Sequence, residues 1–152
     1  MGNLELPLPA HDLLPHRKTM LLIEALLAYD QGSGVGTILG GTKSGSVFAV
    51  EDEKDEGALL EEVVLLEMTA QAYACLRGYE DRLAGLPPSM GFLVGVRHLV
   101  CHRRVGLSEE VTIEVASTAQ VETFFLAEAV VKVAHERVAE AEFKIWLPPQ
   151  EG

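Results

Sequence analysis

The sequence predicts an α+β domain in which an antiparallel sheet of about five or six strands wraps around one long central helix. Three observations carry that expectation. One stretch alone, Ala58 to about Tyr79, is long, free of proline and poor in β-branched residues after Val64. Its apolar residues, Val63-Val64-Leu65-Leu66 and Met68-Thr69-Ala70, leave no wide polar face, so the helix is expected to be enclosed rather than laid on a surface. Most strand-like segments follow it, and they alternate apolar with polar residues, as antiparallel strands with one wet face do.

Along the chain, residues 10–16 fit a short helical turn ended by Pro15. Met20 to Tyr29 is mostly apolar and precedes Asp30-Gln31-Gly32-Ser33-Gly34, which suits a buried strand and a turn. Val35 to Val50 reads as one or two strands, and the acidic run Glu51-Asp52-Glu53-Lys54-Asp55-Glu56 as a loop ending at Gly57. Glu61 and Glu62 fall in the first helical turn, where carboxylates complement the dipole, and Gly78 reads as a termination signal. Past Gly85-Leu86-Pro87-Pro88-Ser89 come strands at Gly91 to Val100, Glu110 to Ala119, Phe124 to Val133 and Arg137 to Leu147. The last is the clearest. Ala139, Ala141, Phe143 and Ile145 share one face, and Glu140, Glu142 and Lys144 the other.

A chain of 152 residues suits a single domain over 1–152. Its net charge of −11 argues against nucleic acid or an anionic membrane as partner. MGNLELPLPAHDLL lacks the basic start and apolar core of a secretory signal, and Val63 to Cys75 is too short and too interrupted to span a bilayer. Cys75 and Cys101 have neither CxxC nor Cys/His ligand spacing, which fits reduced thiols and a cytoplasmic location. With no phosphate loop, dinucleotide fingerprint, G-x-S-x-G or metal-ligand spacing, no metal or other cofactor is expected.

Four blocks are similar to segments of the 3-hydroxyacyl-acyl carrier protein dehydratases. Leu14-Pro15-His16-Arg17-Lys18-Thr19-Met20-Leu21-Leu22-Ile23-Glu24 resembles their opening, and Val64-Leu65-Leu66-Glu67-Met68-Thr69-Ala70-Gln71-Ala72 their helix signature. Gly91-Phe92-Leu93-Val94-Gly95-Val96 and Val138-Ala139-Glu140-Ala141-Glu142-Phe143 resemble two later strands. The resemblance implies a hotdog fold and chemistry on acyl thioesters. One departure is informative: the family's G-H-F-P-G loop carries a catalytic histidine, and at the corresponding spacing this chain has Glu53, with no His, Phe or Pro around it. That pattern looks closer to the dehydratase-like branch of aryl-polyene-type clusters.

Dehydration of a 3-hydroxyacyl thioester needs a base for the C2 proton and an acid for the C3 hydroxyl. In the family a His and a Glu divide that work. Glu67 is the candidate catalytic residue here. Leu60, Val64, Gln71 and Ala74 share its helix face, so it is expected to be buried beside an apolar tunnel, out of water, the environment that tunes catalytic carboxylates. Gln71, one turn on, can orient Glu67, donate to substrate or act as a structural amide. His16 can contact substrate or cap local structure. Arg97, Arg103 and Arg104 form the one arginine cluster, a local positive surface for docking an acidic acyl carrier protein. Two other readings stay open: a hotdog thioesterase acting on acyl carrier protein or coenzyme A thioesters, and a non-catalytic acyl-binding subunit. A homodimer is expected, or a heteromer with a second hotdog subunit, since pairing removes an exposed sheet edge.

Overall fold

The computed structural model describes residues 5–14, 21–40, 49–51, 58–60, 62–106 and 109–149. Nine strands and one α-helix occur among them: β1 (Leu8–Pro9), β2 (Ile23–Asp30), β3 (Val35–Gly40), β4 (Ala49–Glu51), β5 (Ala58–Leu60), α1 (Glu62–Leu83), β6 (Phe92–Cys101), β7 (Val111–Val121), β8 (Phe124–Val133) and β9 (Glu136–Trp146). Seven strands make one sheet in the order β1-β2-β3-β7-β8-β9-β6, and β4 pairs with β5 in a separate ribbon. Every pairing is antiparallel. The additional strands beyond the expected five or six are the two- and three-residue ones, too short to show an alternation.

Alternation decides which face of the sheet is dry. On β9, Ala139, Ala141, Phe143 and Ile145 are buried, while Glu140 and Glu142 are half-buried and Lys144 is exposed. Val111, Ile113 and Val115 on β7 and Ala127, Ala129 and Val131 on β8 continue the apolar layer. Helix α1 packs across it, touching β2, β3, β6, β7, β8 and β9. Its buried stripe includes Leu65, Met68, Ala72, Tyr73 and Leu76, and the Tyr73 ring meets Phe143 edge-on at 5.9 Å. Full burial of each large apolar side chain in this layer contributes about 1.5–3 kcal/mol.

Two helix boundaries differ from the sequence expectation. Ala58–Leu60 is a strand, and α1 is helical from Glu62. At the other end, Gly78 does not terminate the helix, which runs on to Leu83. Its role is close approach: a Cβ there would lie 2.6 Å from the Leu13 carbonyl oxygen. Leu13 follows a 3-10 turn at Ala10–Asp12 that lies within the expected 10–16 segment. Pro15 and His16 fall outside the described residues, as do Glu53 and the rest of 52–57.

The helix also departs from all-round burial. Val63 is 66% exposed and Glu67 is exposed, with Leu66, Ala70 and Ala74 half-buried beside them. One stripe of α1 is therefore apolar yet uncovered. The sheet has a matching gap at its β6 edge. Leu93 and Val96 pair in register with the buried Ile145 and Phe143, but are themselves 41% and 43% exposed.

Gly78→Ala should lower unfolding free energy by about 1–3 kcal/mol through overpacking against Leu13, although helix propensity alone favours alanine by about 1 kcal/mol. Denaturant melts check the sign. Burial pushes the Cys75 thiol up to about 12 from 9.0. Above pH 9 the unfolded chain therefore releases a proton that the native chain keeps, and stability falls as pH rises. Between about pH 9 and pH 11, the wild type should lose more unfolding free energy than Cys75→Ala, each measured against its own value at neutral pH.

Candidate active site

The uncovered stripe of α1 carries the candidate catalytic residue. Residues three, four and seven apart share a helix face, and so Glu67, Ala70, Gln71 and Ala74 come together along one wall of a cleft of about 170 Å³. Leu93 from β6 and Ile145 from β9 form the opposite wall. The lining is mixed, with Ala70, Ala74, Leu93 and Ile145 apolar and Glu67, Gln71, Arg77 and Ser89 polar, a composition common in clefts that take small organic molecules.

Gln71 fixes the local geometry. Its side chain is 2% exposed, where an unsatisfied amide would cost about 1–3 kcal/mol. Its Oε1 accepts the backbone N–H of Leu22 at 2.8 Å, just before β2. Its Nε2 donates to Glu67 Oε1 at 3.1 Å. The chemistry dictates this amide orientation, since an N–H needs an acceptor and a carboxylate needs a donor. Of the roles open to Gln71, these bonds support the orienting and structural ones together.

Glu67 itself is exposed in the single chain, not enclosed as the helix pattern predicts. Of its neighbours on that face, Val64 and Gln71 are buried and Ala70 and Ala74 half-buried, while Val63 and Glu67 itself are exposed. Periodicity reports that a face needs cover; it does not report which chain supplies it.

Sequence reasoning missed the far end of the cleft, formed by Arg77 and Ser89. Arg77 continues the 67–70–74 stripe, so the signal was a charged residue in phase with Glu67. Its guanidinium lies 3.6 Å from both Glu80 and the buried Asp81 and sits 4.8 Å from the Phe125 ring centroid. Asp81 also accepts the Ser89 backbone N–H at 2.9 Å, tying down the loop after α1. Tyr29 donates to Glu80 at 2.9 Å; burial, reinforced by that bond, pushes its hydroxyl up to about 12. The Tyr73 hydroxyl pairs with that of Ser117 at 2.8 Å.

Of the three arginines, Arg97 is in β6, and Arg103 and Arg104 follow its end. Arg97 lies along β6 in a shallow cleft with Glu128 and Glu142. Arg103, beyond the strand end, is held by Glu109 at 2.9 Å and Glu136 at 2.8 Å, and these bonds raise its already high pKa. The same pairing, with the Gly106 N–H, holds the Glu109 carboxyl below its ordinary value. Arg104 is exposed. Among the described histidines, His11 contacts Asp12 and His102 contacts Glu140, while His98 and His135 are exposed; none lines the cleft. No metal-binding group of three side chains occurs among the described residues, and no helix there is long and apolar enough to cross a membrane.

The architecture is shared with solved structures. The dehydratase heterocomplex ApeI:P from Xenorhabdus doucetiae contains a chain similar over 94% of this one and 93% of its own length, with a TM-score of 0.81 at 20% identity. An HP0420-homologue from Helicobacter felis matches over 91% and 85%, with a TM-score of 0.65 at 10% identity. A hypothetical thioesterase protein with coenzyme A from Streptococcus pneumoniae TIGR4 matches over 79% and 83%, at 0.59 and 12%. These likenesses establish the hotdog fold. No curated protein matches the chain in sequence. The family model for ApeP-like proteins, described as ApeP dehydratase, matches residues 8–151. With nearly its whole length matched, the chain belongs to the ApeP-like dehydratase family.

Proposed function

We propose that this protein is the Glu67-bearing half of a composite dehydratase that removes water from 3-hydroxyacyl thioesters on an acyl carrier protein, with a second hotdog subunit supplying the histidine. One observation carries the reading: among the described residues Glu67 is exposed on a largely apolar helix stripe, beside a cleft that no described histidine lines. The heterocomplex in the similar Xenorhabdus doucetiae structure supports a two-component arrangement.

In this reading the partner covers the β6 edge and the Val63–Ala74 stripe. Covering them excludes water from the cleft and brings the missing proton-transfer group opposite Glu67. One of the two groups takes the C2 proton. The other delivers a proton to the departing C3 hydroxyl, which leaves as water while the C2–C3 double bond forms. Gln71 holds the carboxylate through its Nε2–H and is itself held by the Leu22 backbone. It is a positioning residue.

In the assembled enzyme, Glu67→Gln should lower the dehydration rate by about 10²–10⁴-fold with an unchanged melting temperature. Gln71→Met should lower both stability, by about 1–3 kcal/mol, and turnover, because the Leu22 N–H is orphaned and the carboxylate loses its donor. Single-turnover kinetics beside thermal melts separate the two effects. Thioester hydrolysis without dehydration would move the assignment to a thioesterase.

Alone, the chain should pair through β6 and give twice its 16.5 kDa mass by light scattering. That homodimer should dehydrate poorly. Adding a hotdog protein that retains the G-H-F-P-G loop should restore the rate, and Glu67→Gln in this chain should abolish the gain. Full turnover by the pure homodimer would remove the need for a partner.

A further inference from the structure

Asp81 is the one fully buried carboxylate among the described residues. Stability alone does not account for it. A carboxylate taken out of water is costly unless paired, and in the last turn of α1 it faces the negative end of the helix dipole. Its partners show what the position achieves. Arg77 lies 3.6 Å away on the same helix, and the Ser89 backbone N–H donates to Asp81 Oδ2 at 2.9 Å. The backbone oxygen of Asp81 accepts the Leu86 N–H at 2.8 Å. Between Leu86 and Ser89 stand Pro87 and Pro88, which have no N–H to give. Asp81 therefore takes both amide donors of the stretch 86–89.

That stretch leads directly into the cleft. Arg77, Ser89 and Gly91 all line it, whereas Asp81 does not. Gly91 is fitted closely against the end of β9: a Cβ there would lie 2.7 Å from Leu147 and 3.0 Å from Ile145, both cleft residues. Releasing the Ser89 N–H would free the backbone that brings Gly91 to this apolar wall. Arg77 lies about 15 Å further along the helix than Glu67. The wall that Asp81 braces is thus remote from the carboxylate at the reacting end.

We infer that Asp81 is a positioning residue that fixes the far wall of the cleft, through Ser89 and Arg77, and thereby lets that wall hold the distal part of the acyl chain. The inference rests on the cleft being the acyl site, as in the reading above, and extends it from the reacting carbons to the opposite end of the substrate.

Binding separates this role from a merely structural one. Unreactive acyl-pantetheine amides with straight saturated chains of increasing length are titrated into the full-length protein in its native assembly. In the wild type each methylene within the cleft should tighten binding by about fourfold. In Asp81→Ala the short analogues should lose less than about twofold in affinity, while the gain per methylene among the longest falls below about twofold. Asp81→Asn keeps an oxygen that can accept the Ser89 N–H, and it should recover the gain. A loss spread evenly over all lengths, or the wild-type gain in Asp81→Ala, overturns the inference. So does an absent length dependence in the wild type. If Asp81→Ala fails to fold, amide exchange in the wild type decides. The Ser89 N–H must be protected without ligand, and its protection must rise with the long analogues and not with the short. Unchanged protection with both bound is equally fatal. Length-dependent binding without dehydration would sink the dehydratase reading alone. Dehydration with the wild-type length profile kept in Asp81→Ala would sink this one alone.

Discussion

The hydrogen bonds of one buried amide set the relation between helix, sheet and site. Gln71 could not occupy the dry side of α1 unless both ends of its side chain were paired. The Leu22 N–H satisfies one end and thereby ties the rotation of the helix to the start of β2. The other end then lands on Glu67 one turn earlier. A small rotation of α1 would break the first bond and swing the carboxylate off the cleft rim. The acidic residue is thus positioned by the same amide that seats the helix.

The helix divides its surface between two tasks. Leu65, Met68, Ala72 and Leu76 complete the core against the sheet. The glycines of β3 allow that approach: a Cβ on Gly36 would lie 2.9 Å from Leu76, and one on Gly40 2.7 Å from Met68. The neighbouring stripe from Glu67 to Arg77 does something else, lining a cleft that carries charge toward both ends. A carboxylate at one end, and a guanidinium shared by two carboxylates at the other, give the groove a direction along the helix axis.

Much of this was legible in the sequence, for identifiable reasons. β8 was bounded correctly because Phe124 to Val133 lies between turns, and β9 was nearly so because its alternation is unbroken over Ala139 to Ile145. Glu67 and Gln71 stood out as polar residues inside an apolar helical run, and they prove to be bonded to each other. The illegible parts have physical causes. The β8–β9 turn is Ala134-His135, both at positive φ (49° and 70°), with none of the Asn-Gly chemistry that announces such a turn. Gly78 looked like a stop signal because a helical glycine placed for close packing has the same letter as one placed for termination. The sequence does not show that the distant Glu136 meets Arg103 across the fold.

The two margins of the sheet are treated unequally. One ends in β1, a strand of two residues that offers little to an incoming backbone. The other ends in β6, ten residues long, with Phe92, Val94 and Val96 all more than 40% exposed. Register shifts near Val94 and Arg97 interrupt its ladder with β9, and no other described strand pairs with it. Such an edge is a template for any extended segment that reaches it first. A chain whose β6 stays unpaired therefore carries an adhesive border, and how that border is closed bears on whether the protein stays dispersed.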